Sequence, residues 1–386
     1  MASVIDFSEE EELFRSMVRD FARKEIAPIA RDIDEESRFP GQTLAKMGPL
    51  GLLGIPVPEE YGGAGASLVS YVLALEEIAY ACGSTALTLA AHTSLATLPI
   101  LAFGTEDQKR KYVPDLASGR TIGAFGLTES HAGSDAGATR TRAVRDGNCY
   151  VLNGSKCFIT NASHASTFVV AARTSSEPGS SGISAFIVER SFSGFSAGKK
   201  EDKLGLRGSD TAEIVFADCL VPAENLLGKE GEGFHNFLKT LDGGRIGIGA
   251  MAAGLARAAF DQAVSYAQSR KAFGVTLASQ GAIQEKIAEM AASLHASRLL
   301  VYDTARRREA GRPHTREAAI TKLFASEAAY RITKDAIQIL GGNGYSREYP
   351  VERFYRDVKL LEIGEGTSKI QRIVISRSVF EERIST

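Results

Sequence analysis

Four short runs decide the fold: Tyr150-Val151-Leu152, Phe168-Val169-Val170-Ala171, Ala185-Phe186-Ile187-Val188 and Ile214-Val215-Phe216. They are rich in β-branched and aromatic residues, and clusters of Gly, Ser, Asp and Asn separate them, so residues 122–230 read as regular short strands joined by turns. No amphipathic helix falls between the strands, which disfavours a parallel βαβ sheet and predicts a small β-barrel or sandwich. On the N-terminal side the period becomes helical. Ser8 and Glu11 suit a capping box, and Leu13, Phe14, Met17, Val18 and Phe21 recur at helical spacing. Pro28 should end or kink that helix, Gly and Pro punctuate residues 40–65, and residues 67–103 are again helical in pattern. On the C-terminal side Ile283, Ile287, Met290, Leu294 and Val301 follow a seven-residue rhythm. Gly311 and Pro313 mark a turn, and a second long helix runs from Thr315 to Leu340. Long helices joined by short turns imply a bundle. The chain therefore reads as α+β and multi-domain: a helical region at 1–121, a β-barrel-like region at 122–234 and a helical bundle at 235–386. Ser175 to Ser184 is expected to be an exposed loop.

Composition narrows the function. In 386 residues, 44% are hydrophobic and 24% charged, ordinary values for a globular protein, and the formal net charge of -2 offers no footprint for nucleic acid or an anionic membrane. The first residues, MASVIDFSEEEELF, are acidic and show neither a secretory nor an Arg-rich transit pattern. The most apolar stretch, from Ala81 to Phe103, is interrupted by Gly83, His92 and Pro99, so no membrane helix is expected. Cys82, Cys149, Cys157 and Cys219 are too sparse for a disulfide framework and read as reduced, mostly buried thiols. The six histidines show no metal-ligand spacing.

Two motif matches are decoys. Gly247-x-Gly249-x-x-Ala252 fits a loose dinucleotide fingerprint, but no strand precedes it, and small residues in a helix serve close packing. Gly194 to Gly198 fits a nucleophile elbow, yet Lys199-Lys200-Glu201-Asp202 follows it as a solvated loop rather than a helix. Two other segments are more informative. AFGLTESHAGSDAGA, from Ala124 to Ala138, offers small and hydroxyl residues suited to close approach of a cofactor, and equally to a tight turn. IGEGTSKIQR, from Ile363 to Arg372, sets Glu365 between two glycines ahead of a helix that Thr367 and Ser368 can cap. By itself it reads as a helix cap with a solvated Glu, or as a carboxylate brought close to a flat ligand beside an anion-favouring helix N-terminus.

In this order and separation the two segments resemble the acyl-CoA dehydrogenase family. The likeness continues in Tyr150 to Asn161, Lys203 to Ser209, Arg270-Lys271-Ala272-Phe273-Gly274 and Gln338 to Tyr345. It covers nearly the whole chain. The resemblance implies an N-terminal helical domain, a central β-domain and a C-terminal four-helix bundle, assembled as a homotetramer built as a dimer of dimers. It also implies FAD as cofactor. Phe125, Leu127, Thr128 and Ser134 would line the flavin, with Ser134 also reaching the acyl-CoA. Phe158, Ile159 and Thr160 would lie beside the isoalloxazine, Phe158 where many relatives have Trp. Arg270, Phe273 and Gln280 would hold the adenine-diphosphate end. Gln338, Gly341 and Gly342 would reach FAD across a subunit interface, and Thr367 and Ser368 would complete the site. Asp242, Arg245 and Gly366 match substrate-contacting positions. Three departures are evident: Ser130 for a common Pro, Lys369 for Glu or Gln, and Ala272 for a Thr.

The resemblance makes Glu365 the base that removes the α-proton of an acyl thioester, while the β-hydride passes to the flavin and the enolate is stabilised by hydrogen bonds, one from the Glu365 backbone N–H. The position that carries the base in some members is Gly244 here, which cannot serve. Electrons would leave to electron-transferring flavoprotein. Leu241 to Arg245 and Ala91 to Leu95 resemble short-chain members, and Gly364 stands where relatives have Tyr, so a short- or medium-chain substrate is expected, with short branched chains as the alternative. An acyl-CoA oxidase, a DNA-binding family member and a silent scaffold are the rival functions; near-neutral charge and the intact Glu365 disfavour the last two. The expected location is the bacterial cytoplasm or the mitochondrial matrix, with no membrane or nucleic-acid partner.

Overall fold

The computed structural model describes residues 6–176 and 179–384. Ser8 caps the first helix, α1 (Glu9–Phe21), and the capping box closes: Glu11 N–H donates to Ser8 Oγ at 3.1 Å and Ser8 N–H to the Glu11 carboxylate at 2.9 Å. Val18 is buried, and Phe14, Met17 and Phe21 pack at the edge of the core, but Leu13 is 68% exposed, so the buried stripe is narrower than the spacing suggests. Around Pro28 the winding changes without a break. A π-turn (Ala22–Ile26) and a 3-10 turn (Ala27–Ile29) lead into α2 (Ala30–Glu35).

After α3 (Gly41–Met47) come α4 (Leu68–Ala81), α5 (Gly83–Ala90), a π-helical stretch (Ala91–Thr97), α6 (Leu98–Phe103) and α7 (Glu106–Ala117). The expected interruptions at His92 and Pro99 do not occur. Gly83–Phe103 is a continuous helical run, long and apolar enough to cross a membrane by length and composition, and most of it is buried inside the protein. His92 fits because both ring nitrogens are used: Nδ1 accepts from Gly123 N–H and Nε2 lies against Leu116 O, each at 3.0 Å. Burial pushes this imidazole down to about 4, so it stays neutral near pH 7. Pro99 falls at the second residue of α6, where the π-helical stretch passes into the α-helix.

The strands are β1 (Gly123–Gly126), β2 (Arg142–Asp146), β3 (Cys149–Thr160), β4 (Thr167–Arg173), β5 (Ile183–Glu189), β6 (Phe195–Lys200), β7 (Thr211–Pro222) and β8 (Leu226–Leu227). They form one sheet in the order β6-β7-β3-β2-β4-β5-β8, with β1 beside β4. Pairing is antiparallel except at β1–β4 and β2–β4. β6 and β8 are the ends of the path, so the sheet stays open. Phe168, Val170 and Ala172 of β4 face one apolar cluster, and Val169 and Ala171 face another, which includes residues of α7. This period of two buries the strand on both faces, as its unbroken apolar run requires. Lys199 and Lys200 belong to β6 rather than to a loop, and no helix follows, so the geometry of a nucleophile elbow is absent. Of the expected loop at 175–184, Ile183 and Ser184 already belong to β5, and Glu177 and Pro178 lie outside the described residues.

Beyond the sheet run α8 (Gly233–Ser269), a small hairpin of β9 (Lys271–Ala272) and β10 (Val275–Thr276), then α9 (Gly281–Glu309), α10 (Thr315–Leu340), α11 (Val351–Leu361) and α12 (Ser368–Ile384). At 37 residues α8 is about 55 Å long. One continuous core joins residues of α1, α4 and α5 to residues of α8 through α11, so the two helical regions are not separate in packing terms. The dinucleotide-like glycines serve this packing: a Cβ on Gly249 would come within 2.8 Å of Thr321 Cγ2.

Candidate active site

Glu365 lies in the turn between α11 and α12, in the left-handed conformation with φ 54°, followed by Gly366 at φ 93°. Its carboxylate points inward, and Oε2 is buried without a hydrogen-bond partner. It rests against Gly244 of α8, where an added Cβ would come within 1.9 Å of Oε2 and 3.1 Å of Leu95 Cδ2. Burial pushes the carboxyl up to about 7, opposed by the Lys322 ammonium of α10 and the Arg245 guanidinium of α8. Tyr71 of α4, whose buried hydroxyl also has no partner, lies close enough for the Glu365 charge to push its phenol further up. A base held near neutral pH in a dry pocket can take a proton from a weak carbon acid and later release it.

A stripe of α8 connects this carboxylate to the sheet. Phe237, Leu241 and Gly244 are four and then three residues apart, on one face, with about 10 Å between the first and last. The Phe237 ring packs 4.6 Å from that of Phe125 on β1, and Leu241 belongs to the cluster that also holds Phe125 and Leu127. Next to β1, the ladder between β3 and β7 carries a bulge: Cys157 and Phe158 together face Glu213. Phe158 takes φ 58° there and presents a ring that is 65% exposed, while Ile159 turns into the core. Bulges re-aim single side chains in this way. Cys157 N–H donates to Thr128 O at 2.9 Å, tying the bulge to the end of β1. Thr160 and Thr128 are half-buried, and Ser134 is exposed in the loop beyond. With Ser130 in place of a Pro, Glu129 pins this turn, accepting from Arg140 N–H at 2.8 Å, Thr141 N–H at 3.0 Å and the buried Lys156 ammonium at 2.6 Å.

On the same side as Glu365, Thr367 caps α12 by accepting from Ile370 N–H at 3.3 Å, and the buried Ser368 Oγ has no partner. Asp242 accepts from Arg245 at 2.6 Å and from Thr315 at 2.7 Å, fixing the guanidinium while its Nε stays buried and unpaired. A Cβ on Gly364 would meet only Leu360, at 3.6 Å and beyond, so a larger residue would fit and glycine leaves that room open.

The remaining predicted residues form a second group at the far end of α8. Arg270, Phe273, Gln280, Gln338, Gly341 and Gly342 surround the β9–β10 hairpin and the end of α10. Arg270 lines a shallow pocket of about 370 Å³ together with Leu340 and Asn343, which are chain neighbours of Gly341 and Gly342. Phe273 is 98% exposed and nearby Tyr345 90%. Sequence reasoning missed Lys322, Gln371 and Tyr71. Lys322 and Gln371 are wholly buried and bond the backbone of the Glu365 turn, a role that no local pattern announces. All four thiols are free, two buried and two half-buried. Among the described residues no group of three acidic, His or Cys side chains could hold a metal ion.

Family models for the acyl-CoA dehydrogenase N-terminal, middle and C-terminal domains match residues 8–120, 124–219 and 231–380. A short-chain specific acyl-CoA dehydrogenase of Clostridium acetobutylicum is 51% identical, over 97% of this chain and 99% of that one. The structure of butyryl-CoA dehydrogenase from Megasphaera elsdenii superposes with a TM-score of 0.96 at 43% identity, covering 98% of this chain and 100% of that one. A chain from structural work on the electron transferring flavoprotein of Acidaminococcus fermentans, concerned with flavin-based electron bifurcation, has a TM-score of 0.96 at 47% identity, over 98% and 99% of the two chains.

Proposed function

This chain belongs to the acyl-CoA dehydrogenase family, and from that premise we propose that it dehydrogenates a short- to medium-chain acyl-CoA to the trans-2-enoyl-CoA, with Glu365 as base, FAD as cofactor and electron-transferring flavoprotein as acceptor. The observation that carries this is the Glu365 carboxylate: buried, unpaired at Oε2 and pushed up to about 7. The residues present fit FAD. Phe158 offers a flat, exposed ring beside Thr160 and Thr128, and the orphaned Ser368 Oγ at the start of α12 suits a polar ligand group. Bound FAD supplies the two-electron acceptor for the β-hydride.

The protein's own part is to position and to move one proton. The α-proton passes to Glu365 Oε2 from a substrate lying along the Phe237–Gly244 face of α8. The Glu365 N–H, which pairs with no backbone carbonyl among the described residues, donates to the thioester oxygen and stabilises the developing enolate. Burial excludes water and keeps the carboxylate basic. Arg245, anchored by Asp242, faces the CoA end. Arg270, Phe273 and Gln280 would hold the adenine-diphosphate end of FAD, and Gln338, Gly341 and Gly342 would reach FAD across a subunit interface; such an interface would cover Phe273 and Tyr345, which are exposed in a single chain. That arrangement requires at least two subunits, and the family resemblance extends the proposal to a homotetramer built as a dimer of dimers. The clones of Glu365→Gln should retain FAD but lose at least about 100-fold in turnover with butyryl-CoA, the scale of a lost general base. Near-normal turnover would refute the assignment.

A further inference from the structure

Resting on Glu365 as the base, we propose that Lys322 and Gln371 are positioning residues that clamp the carbonyls of Glu365 and Gly366, fixing the left-handed turn that aims the carboxylate at substrate. Lys322 Nζ donates to Gly366 O at 2.8 Å. Gln371 Nε2 donates to the same oxygen at 2.8 Å and to Glu365 O at 3.3 Å. Both side chains are wholly buried, one on α10 and one on α12, so the turn is held from two elements at once. A turn with successive positive φ values, one at a non-glycine residue, persists only where its surroundings over-determine it. The fit is tight, since a Cβ on Gly366 would come within 2.7 Å of Gln371 Nε2.

Burying an ammonium is costly, and burial here pushes Lys322 down to about 8, against the pull of Glu365. A neutral side chain could fill the space of a core residue. An ammonium does two things more: it donates to Gly366 O, and it places a positive charge near the base. Gln371 supplies only the clamp. The charged and titratable groups facing Glu365 are Lys322 from α10, Arg245 from α8 and Tyr71 from α4, with Glu362 on its own turn and Glu327 on α10 acting on Lys322.

The test uses FAD-loaded enzyme and butyryl-CoA, comparing Lys322→Met, Lys322→Arg, Gln371→Leu and Glu365→Gln by kcat, KM and the pH profile of kcat/KM. Lys322→Met should lower kcat by at least about 10-fold, with KM changed less, because the base rather than the binding surface is misplaced. It should also move the acid limb of the profile to higher pH by at least about half a unit, because a cation near the carboxylate is gone. Lys322→Arg should restore the limb. Gln371→Leu should lower kcat and leave the limb in place. Wild-type kcat in Gln371→Leu overturns the clamp even if the Lys322 variants fail to fold. A fall in kcat for Lys322→Met without a shift of the limb assigns Lys322 a scaffold role and overturns its part. Turnover retained by Glu365→Gln is a separate outcome, which removes the base itself.

Discussion

Gly244→Ala isolates the placement of the base from the stability of the fold. The new Cβ would lie 1.9 Å from Glu365 Oε2 and 2.8 Å from its Cδ. Ordinary contact begins near 3.5 Å, so the carboxylate must retreat by about 1.5 Å. Leu95 Cδ2, at 3.1 Å from the same point, crowds the site on another side. A misplacement of about 1 Å in a reacting group can cost about 100-fold, so kcat/KM should fall by at least that factor. Stability should barely change. The clash is with the free end of a side chain that can rotate, and in the interior of α8 alanine is favoured over glycine by about 1 kcal/mol. Purified variant and wild type are to be compared by thermal melting, flavin absorbance and kcat/KM with butyryl-CoA. Loss of activity with an unchanged melt and a full complement of FAD is the expected pattern. A variant within about threefold of wild type would show that the carboxylate does not work from its seat on Gly244.

Glu365→Gln should also change how stability depends on pH. A carboxyl raised from 4.5 to about 7 in the folded state contributes stability that is complete below 4.5 and lost as pH rises through about 7. That difference corresponds to about 3 kcal/mol, or about 4 °C in Tm for a chain of this length. The melting curve of Glu365→Gln should therefore gain on wild type by about that amount between about pH 4 and pH 8.5; parallel pH dependence of the two proteins contradicts a buried, raised carboxyl. Across acyl-CoAs from about C4 to C16, rates should peak at C4 to C8, and the peak should be broad, since each methylene is worth only about 1–3 kcal/mol in an apolar pocket. An optimum at C14 or longer contradicts the short-to-medium assignment.

How much was legible in the sequence depends on the range over which each feature is determined. The strands of the middle region and the helices on either side are local, periodic features, and β4, β5, α9 and α10 form where the periods place them. His92 and Pro99 misled the reading because neither interrupts the helical run: the imidazole bridges that run to β1, and Pro99 falls where the π-helical stretch passes into α6. The bulge at Phe158 leaves no trace in composition, since it depends on the register that β7 imposes on β3. The site is harder still. From Glu365 outward the local signal is a helix cap, and the capping bond at Thr367 does form. The surroundings of the neighbouring carboxylate are supplied by Gly244, Leu95 and Lys322, with Tyr71 close by, on four other segments distant in sequence. Lys322 illustrates the limit most sharply. In Thr321-Lys322-Leu323-Phe324 a lysine reads as the solvated face of an amphipathic helix, yet it is wholly buried beneath the turn. The two glycines are complementary in this respect. Gly366 lets the chain reverse so that Glu365 points inward, and Gly244 leaves the space into which it points, so neither explains the site without the other.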